Sequence, residues 1–137
     1  MAAYNKFNVF VGNVGTGVHN LNTHTLKLYL TNSAPNATMA TKSQLAEITA
    51  GNGYTAGGAD VQNAYSQSGG TGTLTGVDVT WTATGTIGPF RYAVLYNDTP
   101  TSPADPLIAW WDIGSSITLN NGDTFTADIG ASLLTLV

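Results

Sequence analysis

Apolar and polar residues alternate along most of this chain, the period-2 pattern of strands that bury one face. Phe7, Val9 and Val11 form a first stripe. Leu26, Leu28 and Leu30 form a second, with Thr25, Lys27, Tyr29 and Thr31 on the opposite face. Val77, Val79 and Trp81 alternate with Asp78, Thr80 and Thr82, and Tyr92, Val94 and Tyr96 with Arg91, Ala93 and Leu95. Segments 107–113, 117–119 and 124–129 bring the count to about seven strands, before a further one near 60–65 and the tail at 133–137.

Turn chemistry falls between these stripes. Asn121-Gly122 separates Ile117-Thr-Leu from Thr124-Phe-Thr and predicts a tight type I′ hairpin, because both central residues of that turn need positive φ. Gly12, Gly15 and Gly17 break the chain after the first stripe, Gly69-Gly70 precede the strand at Thr73, and Pro100, Pro103 and Pro106 mark a loop from Asn97 onward. One short helical piece is expected over 42–48. There Thr41 and Gln44 have the spacing of a capping box, and Leu45 and Ile48 supply an inward face. About eight short strands without a βαβ rhythm predict an all-β fold, an antiparallel two-sheet sandwich of jelly-roll-like character.

Length sets one domain for residues 1–137, with 1–6 as an extended N-terminal arm. Charge changes the picture more. Asp, Glu, Lys and Arg make up 9% of the chain, against about a quarter in ordinary globular proteins. Thr, Asn, Ser and Gly cover the surface instead, and these short neutral groups cost less to desolvate and immobilise against a partner than ammonium or carboxylate groups do. The net charge is −4 and the four basic residues, Lys6, Lys27, Lys42 and Arg91, are scattered singly, so no cluster exists to release phosphate counterions and no nucleic-acid partner is expected. No cysteine is present for a disulfide or thiol site. The N-terminus lacks the apolar core of a signal peptide, and no apolar run reaches the roughly 20 residues that span a bilayer, so no membrane partner is expected.

Candidate chemistry is sparse. The glycines at 12, 15 and 17 lack the Lys-Ser/Thr of a phosphate-binding loop and precede no predicted helix, which favours a plain inter-strand loop. His19 and His24 have no Cys or nearby carboxylate to complete a metal site, and no Gly-x-Ser-x-Gly elbow marks a nucleophile. Asp98, Asp105, Asp112 and Asp123 suggest paired acids or calcium ligands, but their turn contexts are explained by local side-chain to backbone bonds. No catalytic residue, cofactor or metal is therefore assigned. Trp110-Trp111 carries more information, because neighbouring strand residues point to opposite faces. One indole is expected between the sheets. The other is expected on an outer face, beneath a loop or against a partner.

Four stretches are distinctive: GVHNLNTHTLKLYLTNSAP at 17–35, GNGYTAGG at 51–58, IGPFRYAVLYND at 87–98 and PLIAWWDIGSSITL at 106–119. They resemble a family of small proteins encoded in tailed phages and prophages, similar to capsid cement (decoration) proteins of the jelly-roll type, and the likeness extends over 7–129. The resemblance implies a structural role without catalysis: attachment to the outer capsid surface after the shell has formed, clamping adjacent major capsid subunits. It implies a protein made in the host bacterial cytoplasm and located on the virion. Its expected partners are the major capsid protein and a second copy of itself, a dimer being favoured over a trimer. Met1, Ala2, Ala3 and Tyr4, together with Trp110 or Trp111, are the expected contact residues. A carbohydrate-binding or host-recognition module of the phage tail, suggested by Trp81, Trp110, Trp111 and the tyrosines, is the alternative.

Overall fold

A computed structural model describes residues 4–129 and 132–136. It is all-β, antiparallel and sandwich-like, as the alternation predicts, with ten strands, one short helix and one 3₁₀ turn among the described residues. Five strands form the large sheet, in the order β1 (Asn5–Lys6), β8 (Leu107–Leu119), β7 (Ile87–Asn97), β2 (Leu26–Thr31) and β3 (Ala59–Asp60). A three-stranded sheet runs β10 (Leu134–Leu136), β5 (Thr71–Thr75), β4 (Ala64–Ser68), and β6 (Val79–Thr82) pairs with β9 (Thr124–Ala127). No helix among the described residues is long and apolar enough to cross a membrane.

The large sheet is buried on both faces. Leu26, Leu28, Leu30, Ala93, Leu95 and Trp111 enter the main core, where they meet Leu74, Val79, Trp81, Ala127 and Leu134 of the smaller sheets. Tyr29, Val94, Tyr96 and Leu107 point the other way into a second cluster, closed by Phe7 and Leu45. The faces carrying Tyr29, Thr31, Ala93 and Leu95, which alternation alone sets opposite the first stripes, are therefore interior as well.

Two expectations are corrected. The stripe at Phe7, Val9 and Val11 is not a strand: Asn8–Gly15 is an α-helix, α1, with Phe10 buried and Val11 57% exposed. Phe7, Phe10 and Val14 also satisfy helical spacing, and tertiary contacts choose between the periods. The Phe7 N–H donates to Ile108 O at 3.1 Å and the Asn8 N–H to Ala37 O at 2.9 Å, so the chain leaves the sheet here. The glycines at 12 and 15 thus lie inside a helix. They sit toward its C-terminal end, whose partial negative charge is the wrong sign for phosphate.

The second correction concerns Asn121-Gly122, which does not join a hairpin. β8 pairs with β7 as far as Leu119, and β9 pairs with β6. Gly122 has φ of +91°, while Asn121 stays at negative φ, so the turn is not type I′. The Gly122 N–H donates to Ala83 O, and the Ala83 N–H to Asp123 O, both at 2.8 Å. Those two bonds stitch the turn to the residue after β6 and lay the next strand beside it. The type I′ geometry occurs instead at Gly69-Gly70, both at positive φ, between β4 and β5.

Segment 42–48 forms a single 3₁₀ turn, Lys42–Gln44, with the expected capping box: Gln44 Oε1 accepts the Thr41 N–H at 3.1 Å. From Leu45 the chain is extended, and Glu47 bridges to Thr31 at the edge of the large sheet.

Two glycine substitutions separate backbone strain from steric exclusion. At Gly122 a side chain meets open space, so Gly122→Val should cost only the positive-φ penalty, about 1–3 kcal/mol. At Gly58, φ is +82° and a Cβ would collide with the backbone of Leu28 and Tyr29 in the large sheet. Gly58→Ala should therefore cost more than Gly122→Val, about 3 kcal/mol or above, as measured by urea denaturation of the two variants side by side.

Candidate functional site

β8 lies between β1 and β7, and this position decides the fate of the paired indoles. Trp111 is 4% exposed and packs in the main core. Trp110 is half-buried on the opposite face, its ring centroid 4.6 Å from that of Phe7. Alternation along the strand holds for the pair, and Phe7 is the same-chain cover for the outer indole. Asn5 sits opposite Trp110, and Lys6 opposite Ala109. The end of the expected N-terminal arm is therefore an edge strand. Tyr4, just before it, is 40% exposed, whereas Met1, Ala2 and Ala3 lie outside the described residues.

Beside this edge runs an apolar groove of about 130 Å³ between α1 and β10, with Tyr4, Phe10, Val11, Val14, Leu134 and Leu136 among its lining residues. The large hydrophobic side chains exposed among the described residues are Tyr4, Val11 and Val77. Two of the three border this one groove, and Lys6 is the charged residue on its rim. Sequence reasoning found Tyr4 as a contact candidate but missed Val11, because a strand stripe places that residue inside. Recognition of helical spacing would have turned it outward.

Elsewhere several polar groups of the distinctive stretches hold the fold together. Glu47 Oε1 accepts from Lys42 Nζ at 2.9 Å, and Glu47 Oε2 accepts from the Tyr54 hydroxyl at 2.6 Å and the Gly57 N–H at 2.7 Å. The Lys42 ammonium lies 4.9 Å from the Tyr29 ring centroid and 5.7 Å from that of Tyr96. The Tyr96 hydroxyl donates to Gly57 O at 2.7 Å. Tyr54 itself is buried against Trp81, and its oxygen accepts the Leu30 N–H at 3.1 Å. Burial first, then the hydrogen bond to Glu47, pushes the Tyr54 phenol far above its ordinary range. The GNGYTAGG stretch is thus a strap that binds the large sheet through a tyrosine and a carboxylate whose oxygens are both occupied.

Of Asp98, Asp105, Asp112 and Asp123, the first two come together and the others stand apart. Burial first, and then the charge of Asp98, raises the Asp105 carboxyl above the usual carboxylate range. Lys27 Nζ lies 3.1 Å from Asp98. Asp112 takes a two-pronged contact from Arg91, Nε at 2.9 Å and Nη2 at 3.2 Å, and those bonds hold its carboxyl below the usual range. Asp123 caps the turn after β8 by accepting the Asn120 N–H at 2.9 Å. Among the described residues no three His, Cys, Asp or Glu side chains converge as a metal cage requires.

The two histidines, which spacing alone leaves without a partner, meet across the fold at Asn97. Asn97 Nδ2 lies 3.0 Å from His19 Nδ1 and 2.9 Å from His24 Nδ1. His19 is 9% exposed, and burial, then the nearby His24, lowers its pKa to about 4. A cleft of about 430 Å³ lies alongside, lined by Val14, His19, Leu21, Tyr65 and Leu136 among others. No signal in the sequence links residues 19 and 24 to residue 97, because the joint is made by the β2–β7 pairing.

If the strap at 51–58 holds the sheet in this way, Tyr54→Phe should keep the fold and lose about 1–3 kcal/mol in chemical denaturation, because the buried Leu30 N–H loses its acceptor and Glu47 a donor. An unchanged midpoint would show that water replaces the hydroxyl at no cost.

Comparison with known proteins identifies no relative: no protein-family model, no curated protein and no solved structure matches this chain.

Proposed function

We propose that this chain is a non-catalytic structural protein of a tailed-phage virion, a cement or decoration protein that binds the outer capsid surface and stabilises contacts between major capsid subunits. The observation that carries this reading is the exposed apolar pair Tyr4 and Val11 on one groove, beside the edge strand β1, in a module with few charges. Such a surface can be covered by another protein at low desolvation cost. Support also comes from the distinctive stretches, whose polar groups serve rigidity: the Glu47–Tyr54 strap, the Arg91–Asp112 pair and the Asn97 joint. A platform that has to hold a geometry under load gains from joints of this kind. The proposed contact residues are Tyr4, Val11 and the open side of Trp110, and the proposed partners are the major capsid protein and a second copy of the chain.

The tail-module alternative calls for an open aromatic face on which a sugar ring can stack. Trp81 and Trp111 are buried, and Phe7 covers part of Trp110, so the tryptophans do not offer that face.

Trp110 packs against Phe7 and serves folding as well, which makes Tyr4 and Val11 the cleaner probes. Tyr4→Ala combined with Val11→Asp should leave thermal stability within about 0.5 kcal/mol, because both side chains are solvent-facing. Its affinity for particles stripped of the protein should fall about 30-fold, the equivalent of a typical anchor of about 2 kcal/mol. Binding of the variant at wild-type affinity would remove the groove from the interface. Microscopy of intact particles tests the wider reading: regular copies over the shell are expected, and density confined to the tail would overturn it.

A further inference from the structure

The loop joining α1 to β2 is held to the sandwich by a neutral polar joint. Asn97, fully buried at the end of β7, donates one Nδ2 hydrogen to His19 Nδ1 and the other to His24 Nδ1, while its Oδ1 accepts the Thr99 N–H at 3.1 Å. His24 Nδ1 also accepts the Asn20 N–H at 3.2 Å, and Asn20 Oδ1 accepts from the Asn22 and Thr23 N–H groups, each at 3.1 Å. From the other side, Asn63 Nδ2 donates to Leu21 O at 2.7 Å and His24 O at 3.1 Å. The Thr25 N–H donates to Thr99 Oγ1 at 2.9 Å, and the Asp98 N–H to Thr25 O at 2.9 Å.

This pattern dictates a protonation state. An amide NH₂ only donates, so both Nδ1 atoms must be acceptors and both imidazoles neutral, with their protons on Nε2. Protonation of either ring turns its Nδ1 into a donor facing a donor. Asn97 could answer by turning its oxygen toward the rings, but the Thr99 N–H would then face the amide nitrogen. Two imidazolium rings around one amide would also repel each other.

We propose that His19, His24 and Asn97 form an acid-release clasp: protonation of His19 detaches the loop at 17–25 from the end of β7 while the sandwich stays folded, opening the cleft lined by Val14, Leu21, Tyr65 and Leu136. The charged and titratable surroundings favour release. α1 brings no titratable side chain to the joint, and β10 brings none among its described residues. Asp98, the residue after β7, is engaged by Lys27 of β2, and Lys27 lies opposite Asp60 of β3. β4 brings the phenol of Tyr65, and Asp105 lies beyond Asp98. Among the described residues no carboxylate bonds to either imidazole, so none rewards the cation.

The depressed His19 pKa gives the sign. An unfolded or released His19 binds its proton near pH 6.5, and the clasped one only near pH 4. Closure is therefore fully favoured above pH 6.5 and weakens as the pH falls toward 4, by about tenfold per pH unit for one proton. Hydrogen exchange followed by NMR, normalised for intrinsic rates, should show the amides of Asn20, Thr23, His24 and Thr25 losing about 40-fold protection between pH 6.5 and 4.5. The amides of Leu28, Leu30 and Val94 in the large sheet should hold theirs. A double variant, His19→Gln with His24→Gln, should abolish the step. Simultaneous loss in loop and sheet, an unchanged step in the double variant, or loop protection that persists to pH 4 would each overturn the proposal. Should the double variant fail to fold, the imidazole resonances of the wild-type chain decide the matter: His19 must take up its proton in the same pH range in which the loop opens, and titration near 6.5 with the loop closed would overturn the clasp.

Discussion

A β-sheet that is apolar on both faces must be covered twice, and this requirement organises the molecule. β2, the end of β7 from Ala93 to Asn97 and the start of β8 carry buried residues at nearly every position. The β4–β5–β10 sheet and the β6–β9 ribbon cover one face. Phe7 at the entrance to α1 and Leu45 after the 3₁₀ turn close the other. Without the second cover, Tyr29, Val94, Tyr96 and Leu107 would lie in water, and the edge of β8 would be an open template for another strand.

The covers are tied down mainly by neutral hydrogen bonds. With 9% charged residues there is little material for ion-pair networks, and the described ion pairs join Lys27 to Asp98, Lys42 to Glu47 and Arg91 to Asp112. Glu47 is the least exposed of the three acids and accepts from three separate residues, because an anion in that position is tolerated only when each oxygen is occupied. Asn63 and Asn97 do comparable work without charge, each anchoring the 17–25 loop by two donated bonds. A neutral donor bridging two neutral imidazoles is stable only while those rings stay unprotonated. The joint that closes this loop is therefore also the site of the proposed response to acid.

The same economy of charge bears on function. The distinctive stretches consist mainly of groups that either pack in the cores or complete these joints, so their distinctiveness reflects one rigid geometry more than one reaction. Two of the three large apolar side chains exposed among the described residues, Tyr4 and Val11, lie at the corner formed by β1, α1 and β10. Rigidity behind a low-charge apolar corner is a combination suited to holding other proteins in place.

Alternation at Leu26–Leu30, Val79–Trp81 and Tyr92–Tyr96, together with turn residues at regular intervals, was enough to determine an all-β antiparallel class, since side-chain period follows directly from backbone geometry. The Thr41–Gln44 capping box and the opposed faces of Trp110 and Trp111 were legible for the same reason: each depends on neighbours within four residues. The choice of helix for Asn8–Gly15 was not legible, because Phe7, Val9, Phe10, Val11 and Val14 fit both periods and hydrogen bonds to Ile108 and Ala37 broke the tie. Nor was the partner of the strand after Asn121-Gly122, which Ala83 recruits to β6 from nearly 40 positions earlier. Local spacing determined which segments extend and which way their side chains alternate. Only the tertiary structure decided that the large sheet is buried twice, that Val11 faces outward and that two histidines share one asparagine, because each of those outcomes depends on contacts between residues that the sequence keeps far apart.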